Sequence, residues 1–198
     1  LAPPRLLSAS LKGLLVPVPK SFALASAYWW PYPRPSKEEP GIVVEYFRNI
    51  LAPYGITLDV RYLPWNRAIR EVNIGSVAGL TTAVPSEAPD LQFTSVATMD
   101  YSVCLYSRES SNWQYSGPSS LKGNILGAAL NYSYDESIDA YINENINSGA
   151  ITFIAGDKKI FRYASMLRSN RIDAFIGDMY VTGWGAKNEN IDMQQIKI

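Results

Sequence analysis

Residues 41–80 read GIVVEYFRNILAPYGITLDVRYLPWNRAIREVNIGSVAGL and decide the fold of the first half of the chain. The first eleven of these residues carry apolar side chains at helical spacing, and Ile42, Tyr46 and Ile50 are among those expected to face inward. A Pro and a Gly follow within four residues and are expected to end the helix. Residues 57–62 then alternate apolar and polar side chains, which is typical of a half-buried strand.

The same pattern continues on both sides of this helix and strand. Asn66 can cap a second helix that Gly75 can stop, and residues 77–80 predict a short strand. Residues 22–28 predict a strand before the first helix. Because strands that alternate with helices form parallel sheets with crossover helices, we expect an α/β lobe.

A second α/β segment follows a change in composition. Residues 108–122 are rich in Ser, Asn, Gly and Pro, which is typical of a linker or domain edge. The elements predicted after it are strands over residues 125–130, 151–154 and 172–176, a helix opened by the capping box Ser133-Tyr134-Asp135-Glu136, and a helix from Asp157 through Leu167. We therefore expect lobe 1 over residues 21–108, lobe 2 over residues 109–198 and a hinge near residues 103–112.

Four aromatic side chains crowd the end of the first predicted strand, in Tyr28-Trp29-Trp30-Pro31-Tyr32. Aromatic rings offer a large contact area at little rotamer cost, and Tyr and Trp also keep a hydrogen-bonding group. In α/β proteins, ligands bind outside the carboxyl ends of the strands. This segment therefore predicts a platform for a ligand, with a core aromatic patch beneath a loop as the alternative.

The composition excludes several classes of function. The 18 Lys and Arg residues balance the 18 Asp and Glu residues, so no net field attracts nucleic acid or an anionic membrane. The chain has no His, which excludes Ser-His and Cys-His nucleophile pairs and most zinc sites. The single cysteine, Cys104, lies in an apolar stretch and is expected to be a buried free thiol. No motif for phosphate, dinucleotide or metal is present, so we expect no cofactor and no metal.

Residues 1–20 read LAPPRLLSASLKGLLVPVPK, and their four prolines break helix and strand alike. We expect a leader, such as a signal peptide with residues 23–25 as its cleavage site, or a remnant of cloning. Residues 22–28 also fit a strand, which we favour for that stretch. No later apolar run approaches the roughly 18 residues that a membrane span requires.

Several short motifs follow one another in a specific order and spacing. They are Tyr28-Trp29-Trp30-Pro31-Tyr32, Leu63-Pro64-Trp65-Asn66-Arg67-Ala68, residues 75–82, Phe93-Thr94, Leu121-Lys122-Gly123, Asn131-Tyr132-Ser133-Tyr134, and residues 171–178. Taken together, this series resembles the extracytoplasmic solute-binding proteins of the polar amino-acid type, over residues 20–198. The resemblance implies the two-lobed type II periplasmic-binding fold, which is α/β with a mainly parallel sheet and flanking helices in each lobe.

The resemblance also implies ligand contacts from both lobes. The residues so assigned are Tyr28, Trp29, Trp65, Gly79 and Thr81 in lobe 1, and Asn131, Tyr132, Ser133 and Asp178 in lobe 2. Trp29 and Trp65 are the expected aromatic walls, and Asp178 is expected to receive an ammonium group. Structural alternatives stay open, because Trp65 can pack in the core while Ser133 and Asp178 can cap helices.

One stretch departs from the family pattern. Amino-acid binders that this chain resembles have an Arg just beyond the Gly-x-Thr segment, where it grips an α-carboxylate with two hydrogen bonds. Residues 83–90 instead read AVPSEAPD, with no basic residue. Leaving a buried carboxylate unpaired costs about 3–5 kcal/mol, so we expect a cationic or neutral polar solute. Glu87 and Asp178 favour a cation, although Glu87 can also be solvated and Arg34 or Arg67 could substitute for the Arg.

The resemblance implies a periplasmic carrier that delivers a small solute to an inner-membrane ABC permease without catalysis. It also implies a C-terminal return segment to lobe 1, which we expect to be missing because the chain stops at residue 198. One alternative is the ligand-sensing domain of a membrane receptor, which requires a transmembrane helix beyond that residue. Another is a small-acid dehydratase-like enzyme with Glu87 and Asp178 as acid and base.

Overall fold

The computed structural model describes residues 19–156 and 159–198. Most of the predicted leader and the predicted cap Asp157 lie outside this part of the chain. The strands are β1 (Ser21–Ser26), β2 (Thr57–Tyr62), β3 (Gly79–Leu80), β4 (Val103–Arg108), β5 (Leu126–Ala129), β6 (Ile151–Ile154), β7 (Ala174–Asp178) and β8 (Ile196–Lys197). The helices are α1 (Ile42–Leu51), α2 (Trp65–Asn73), α3 (Glu136–Asn145), α4 (Lys159–Arg168) and α5 (Met179–Asn188). In the described residues, none of these helices has the length and apolar character needed to cross a membrane.

The first sheet contains β1, β2 and β3, all parallel, in the order β2-β1-β3. Ser21 pairs with Thr57, and the register continues to Ser26 against Tyr62. We call this sheet, together with α1 and α2, the first lobe. It confirms the parallel βα arrangement expected from the sequence.

The apolar face predicted for α1 is only partly buried. Val43 and Val44 are at most 1% exposed, whereas Ile42, Tyr46 and Ile50 are 56%, 49% and 44% exposed. Apolar residues surround much of this helix, and those that pack with residues of β1 and β2 are Val44, Phe47 and Leu51. The expectation that Ile42, Tyr46 and Ile50 face inward is therefore wrong.

The second sheet has the order β6-β5-β7-β4-β8. β5 pairs in parallel with β6 and β7, whereas β4 runs antiparallel to β7 and β8. Residues 103–108, expected in lobe 1, instead form β4 of the second sheet, where Val103 pairs with Asp178. The chain therefore crosses between the sheets before β4, in residues 81–102. We call the second sheet, together with α3, α4 and α5, the second lobe.

Phe175 of β7 lies at the centre of the second-lobe core. Its ring stacks on Tyr106 of β4, with centroids 4.8 Å apart. On its other side it stacks on Tyr163 of α4, at 4.7 Å and nearly parallel. Each such pair contributes about 0.5–1.5 kcal/mol beyond burial, so the stack fixes α4 against the sheet.

Two helices begin at other residues than predicted. α2 begins at Trp65 with Pro64 in the cap position, so Asn66 lies inside the helix. α3 is capped by Asp135, whose carboxylate accepts from the N–H groups of Ser137 and Ile138. Ser133 is therefore not the cap, and its hydroxyl donates to Asp139 of α3 instead.

Candidate functional site

The two lobes meet at the carboxyl ends of their parallel strands. β1 ends at Ser26 and leads into the aromatic segment, residues 28–32. In the second lobe, β5 ends at Ala129 and β7 ends at Asp178. Since ligands of α/β proteins bind outside these strand ends, the loops that follow them form the candidate site.

Asp178 joins the lobes through a buried hydrogen bond. Its Oδ2 accepts from Tyr32 Oη over 3.0 Å, while its Oδ1 accepts from the Val181 N–H over 2.8 Å and caps α5. Tyr32 is 2% exposed and Asp178 is 5% exposed. Burial and the neighbouring Asp178 charge raise the pKa of Tyr32, so the phenol stays protonated and donates. Asp178 therefore has a structural role. A solute ammonium group would have to share the Asp178 carboxylate with Tyr32.

Rings from both lobes form an interlobe aromatic cluster of Trp29, Trp30, Tyr32, Tyr101 and Trp184. Trp29 packs on Tyr32 with centroids 4.5 Å apart and on Tyr101 at 5.8 Å. Trp30 meets Trp184 of α5 edge to face at 4.6 Å. The aromatic segment is therefore anchored on the second lobe as well as on its own strand.

A cavity of about 250 Å³ lies between this cluster and the second lobe, and we call it the second-lobe cavity. Tyr163 of α4 and Trp184 of α5 line it from the second lobe. The predicted ligand residues that line it are Tyr28, Trp29, Tyr132 and Asp178. It thus collects predicted residues from both lobes.

Two cations lie on aromatic faces at the second-lobe cavity. The Arg34 guanidinium is 4.4 Å from the centre of the Trp30 ring and forms an ion pair with Glu39 at 2.9 Å. Lys159 Nζ is 4.2 Å from the centre of the Tyr132 ring and donates to Tyr132 Oη over 3.2 Å. Both side chains line the cavity, so it contains hydrogen-bond donors in addition to aromatic surface.

A larger cavity of about 750 Å³ lies on the first lobe, and we call it the first-lobe cavity. The predicted ligand residues that line it are Trp29, Trp65, Gly79, Thr81, Tyr132 and Ser133. Trp29, Tyr101 and Tyr132 line both cavities and separate them. The predicted site is therefore divided into two compartments.

Several predicted residues of the first lobe make contacts within the protein. Thr81 is 2% exposed, and its hydroxyl donates to Ser26 Oγ over 2.8 Å. Trp65 packs against the core around Ala68, which supports its structural alternative. A Cβ at Gly79 would lie 3.5 Å from Leu24 Cδ2, an ordinary contact, so packing within the protein does not require glycine there.

Asn131 lies apart from the other predicted residues. It is exposed, has φ 63° and lines neither cavity. Its neighbours Tyr132 and Ser133 do line the first-lobe cavity. The structure thus brings together eight of the nine predicted residues in two cavities and leaves Asn131 outside.

Glu87 bridges the lobes to Ser133. Its Oε1 accepts from the Ser133 N–H over 3.1 Å, and Ser86 and Ser133 share a hydrogen bond between hydroxyls at 2.7 Å. The Ser133 hydroxyl donates to Asp139 of α3. Burial raises the pKa of Glu87, with the Asp139 charge adding and the Ser133 hydrogen bond opposing. Glu87 is therefore not a solvated loop residue, because its carboxylate accepts a hydrogen bond from a backbone N–H of the predicted ligand segment.

Several rings that line the cavities were not among the predicted ligand residues. They are Tyr101, Tyr134, Tyr163 and Trp184. Tyr163 and Trp184 lie on helices far along the chain from the aromatic segment, and no local pattern connects them to it. Their only sequence signal is the aromatic content of 12%.

No protein-family model and no curated protein matches this chain. Solved structures do match it. An ancestral arginine-binding protein bound to glutamine is 14% identical with a TM-score of 0.64, over 91% of this chain and 78% of that chain. An ABC uptake transporter substrate-binding protein from Streptococcus pneumoniae with bound histidine is 18% identical with a TM-score of 0.64, over 90% of this chain and 73% of that chain.

A third similar structure is a histidine kinase sensor domain described as similar to periplasmic binding proteins. It is 14% identical with a TM-score of 0.64, over 89% of this chain and 75% of that chain. At these identities the shared property is the fold. The chain therefore has the two-lobed α/β fold of periplasmic binding proteins, and the fold expected from the sequence is confirmed.

Proposed function

We propose that this protein binds a small polar or cationic organic solute between its lobes and delivers it to an ABC importer. The observation that carries the proposal is the buried Tyr32–Asp178 hydrogen bond at 3.0 Å, with predicted ligand residues from both lobes around it. A site built from both lobes couples solute binding to lobe closure. The proteins of similar fold include binders of arginine, glutamine and histidine.

We infer the partner and the compartment from the same comparison. An ABC uptake transporter substrate-binding protein is among the similar structures. We infer that the closed form docks on an inner-membrane permease, and that the protein works in the periplasm. Loss of solute uptake into cells that lack only this protein, restored by adding back the chain, would support this role.

The contacts of Glu87 support a solute without an acid group. Residues 83–90 contain no basic residue, and the Ser133 N–H already donates to Glu87. A solute carboxylate would have to displace Glu87 and would meet its charge and that of Asp139. A neutral or cationic solute avoids this repulsion.

Catalysis is not part of the proposal. Glu87 lines the first-lobe cavity and Asp178 lines the second-lobe cavity. An acid and base pair must reach one substrate together, and these two carboxylates line different cavities of the two described above. Their contacts therefore support binding over the dehydratase-like alternative.

A thermal-shift screen tests the proposed function. Amino acids, polyamines, quaternary amines, sugars and neutral heterocycles are added to the purified protein, and hits are confirmed by calorimetric titration. A solute at 100 times its Kd stabilises the native form by about 2.7 kcal/mol, which raises Tm by several degrees. Absence of any hit would count against solute binding, and preference for acidic solutes would overturn the predicted solute class.

A sensor domain is the second candidate, because a histidine kinase sensor domain shares this fold. Such a domain would use the same cleft to bind its ligand. Reading the gene on both sides of the region that encodes residues 1–198 separates the candidates. A segment of about 20 apolar residues followed by a kinase domain would identify a receptor.

A further inference from the structure

The second-lobe cavity contains buried polar atoms that lack hydrogen-bond partners. Among the residues that the structure describes, three that line this cavity, Trp30 (Nε1), Tyr163 (Oη) and Thr182 (Oγ1), have a buried polar atom without a partner. Thr182 Oγ1 lies beside the Tyr106 hydroxyl, so Trp30 and Tyr163, of which Tyr163 is 2% exposed, are the two considered for a ligand. Since most buried polar groups in native proteins are paired, such groups in a cavity wall indicate that a ligand completes them.

Trp30 Nε1 and Tyr163 Oη define what a ligand must present. An indole N–H is a donor only, so a group facing Trp30 Nε1 must be an acceptor. Burial raises the pKa of Tyr163, so its phenol stays neutral and also offers a donor. Lys159 Nζ adds a third donor at the Tyr132 ring. The carboxylates of Asp178 and Glu189 also line the cavity, but they already accept hydrogen bonds within the protein. The remaining polar positions therefore favour acceptor atoms.

The walls define the shape of the ligand. Trp30 and Trp184 meet at 4.6 Å, and Trp29 and Tyr132 also line the cavity. Flat rings pack well against such aromatic surfaces. An apolar cavity of about 150 Å³ takes one benzene, so a cavity of about 250 Å³ has room for a molecule of one or two fused rings.

We propose that the second-lobe cavity is a subsite for a planar heteroaromatic solute whose ring nitrogen or carbonyl acceptors bind Trp30 Nε1 and Tyr163 Oη. This assignment rests on the proposed function and narrows its solute to a neutral ring system. The solute stacks on the aromatic walls, while its acceptors satisfy the two buried donors. The subsite requires no carboxylate on the solute.

A matched pair of probes tests the subsite. Quinoxaline and naphthalene have the same two-ring shape, but only quinoxaline has ring nitrogens that accept hydrogen bonds. Affinities for the purified protein are measured by competition and tryptophan fluorescence. We expect the ratio of the quinoxaline affinity to the naphthalene affinity to be at least about tenfold, since each of the two neutral hydrogen bonds contributes about two- to tenfold, with a central value of about fivefold.

Two variants, each lacking one of the two donors, then test whether that donor contributes to the affinity ratio. Tyr163→Phe removes only the hydroxyl and keeps the ring that stacks on Phe175. Trp30→Phe removes the N–H and keeps an aromatic ring. Each variant should lower the ratio about fivefold, whereas the control Tyr141→Phe on α3 should leave it unchanged.

The stability of the unliganded variant separates a ligand role from a structural role. Removing a buried hydroxyl that has no partner removes its desolvation cost, so Tyr163→Phe should melt at the wild-type temperature or above. A ratio near one in the wild type would overturn the subsite. A ratio unchanged in both variants, or a lower melting temperature for Tyr163→Phe with unchanged affinities, would also overturn it.

The same variants separate this inference from the proposed function. A screened solute that raises Tm in wild type and Tyr163→Phe alike, with a quinoxaline to naphthalene ratio near one, rejects the subsite but keeps solute binding. A ratio of at least about tenfold that falls in the variants, with no hit among the amino acids, polyamines, quaternary amines and sugars of the screen, supports the subsite while counting against a carrier of polar or cationic solutes.

Discussion

The Tyr32–Asp178 hydrogen bond makes a direct prediction about stability. Tyr32→Phe removes only the Oη that donates to Asp178 Oδ2 over 3.0 Å. A hydrogen bond to a charged group contributes about 1.5–3 kcal/mol, and water cannot readily replace it because Asp178 is 5% exposed. We expect the free energy of unfolding to fall by that amount. At about 2–4 °C per kcal/mol for a chain of this size, Tm should fall by about 3–12 °C.

Urea unfolding followed by tryptophan fluorescence measures this loss, and thermal melting by circular dichroism provides an independent value. Tyr46→Phe is the matched control, because Tyr46 is 49% exposed on α1. It should change the free energy of unfolding by less than about 0.5 kcal/mol. A loss for Tyr32→Phe as small as that of the control would refute the contribution assigned to this bond.

A double-mutant cycle tests whether the energy belongs to the pair. Asp178→Asn removes the charge that Tyr32 faces, and the double variant removes both partners. The coupling free energy should exceed about 0.5 kcal/mol, as for residues in direct contact. Purely additive losses would show that Tyr32 and Asp178 contribute through other neighbours.

Three further substitutions test the site and its support. Trp29→Ala should weaken the solute found by the screen about 30-fold or more without unfolding the protein, as for a buried aromatic anchor, and calorimetric titration checks this. Because burial raises the pKa of Glu87, ionisation of this carboxyl costs stability. The Tm of Glu87→Gln minus the Tm of wild type should therefore increase as the pH rises past the ordinary Glu pKa of 4.5 and level off above the raised pKa. Paired thermal melts measure this difference, and a difference that does not change with pH would contradict the prediction. Gly127→Ala should lower the free energy of unfolding, measured in urea, by about 1–3 kcal/mol. A Cβ at this position would lie 2.9 Å from Ile172 Cδ1 and 3.0 Å from the Tyr163 ring, and an unchanged urea midpoint would refute this crowding.

The elements of the fold could be predicted from local patterns. Strand alternation over residues 57–62 and the Pro and Gly that end α1 depend on neighbours within one or two turns. β2 has the predicted bounds, Thr57–Tyr62, and β6 has the predicted bounds, Ile151–Ile154. β4 was not assigned to its sheet, because its pairing with β7 is not encoded in the spacing of its own residues.

The candidate site could be predicted only in part. The aromatic segment and Asp178 were identified because they follow strands, where α/β proteins bind ligands. The division into two cavities was not predicted, nor was the bond between Glu87 and the Ser133 N–H. Which side of Tyr163 meets a cavity also depends on how α4 packs against Phe175.

The sequence by itself determined the α/β class, the two-lobed fold and the strand ends at which a ligand would be held, because these follow from periodicity, turn residues and motif order. Only the tertiary structure decided which side chains meet across the lobes. Tyr32 and Asp178 lie 146 positions apart and Glu87 and Ser133 lie 46 apart. Such contacts form only when the whole chain has packed, so the partners of each donor and acceptor depend on the relative placement of two sheets that no local pattern specifies.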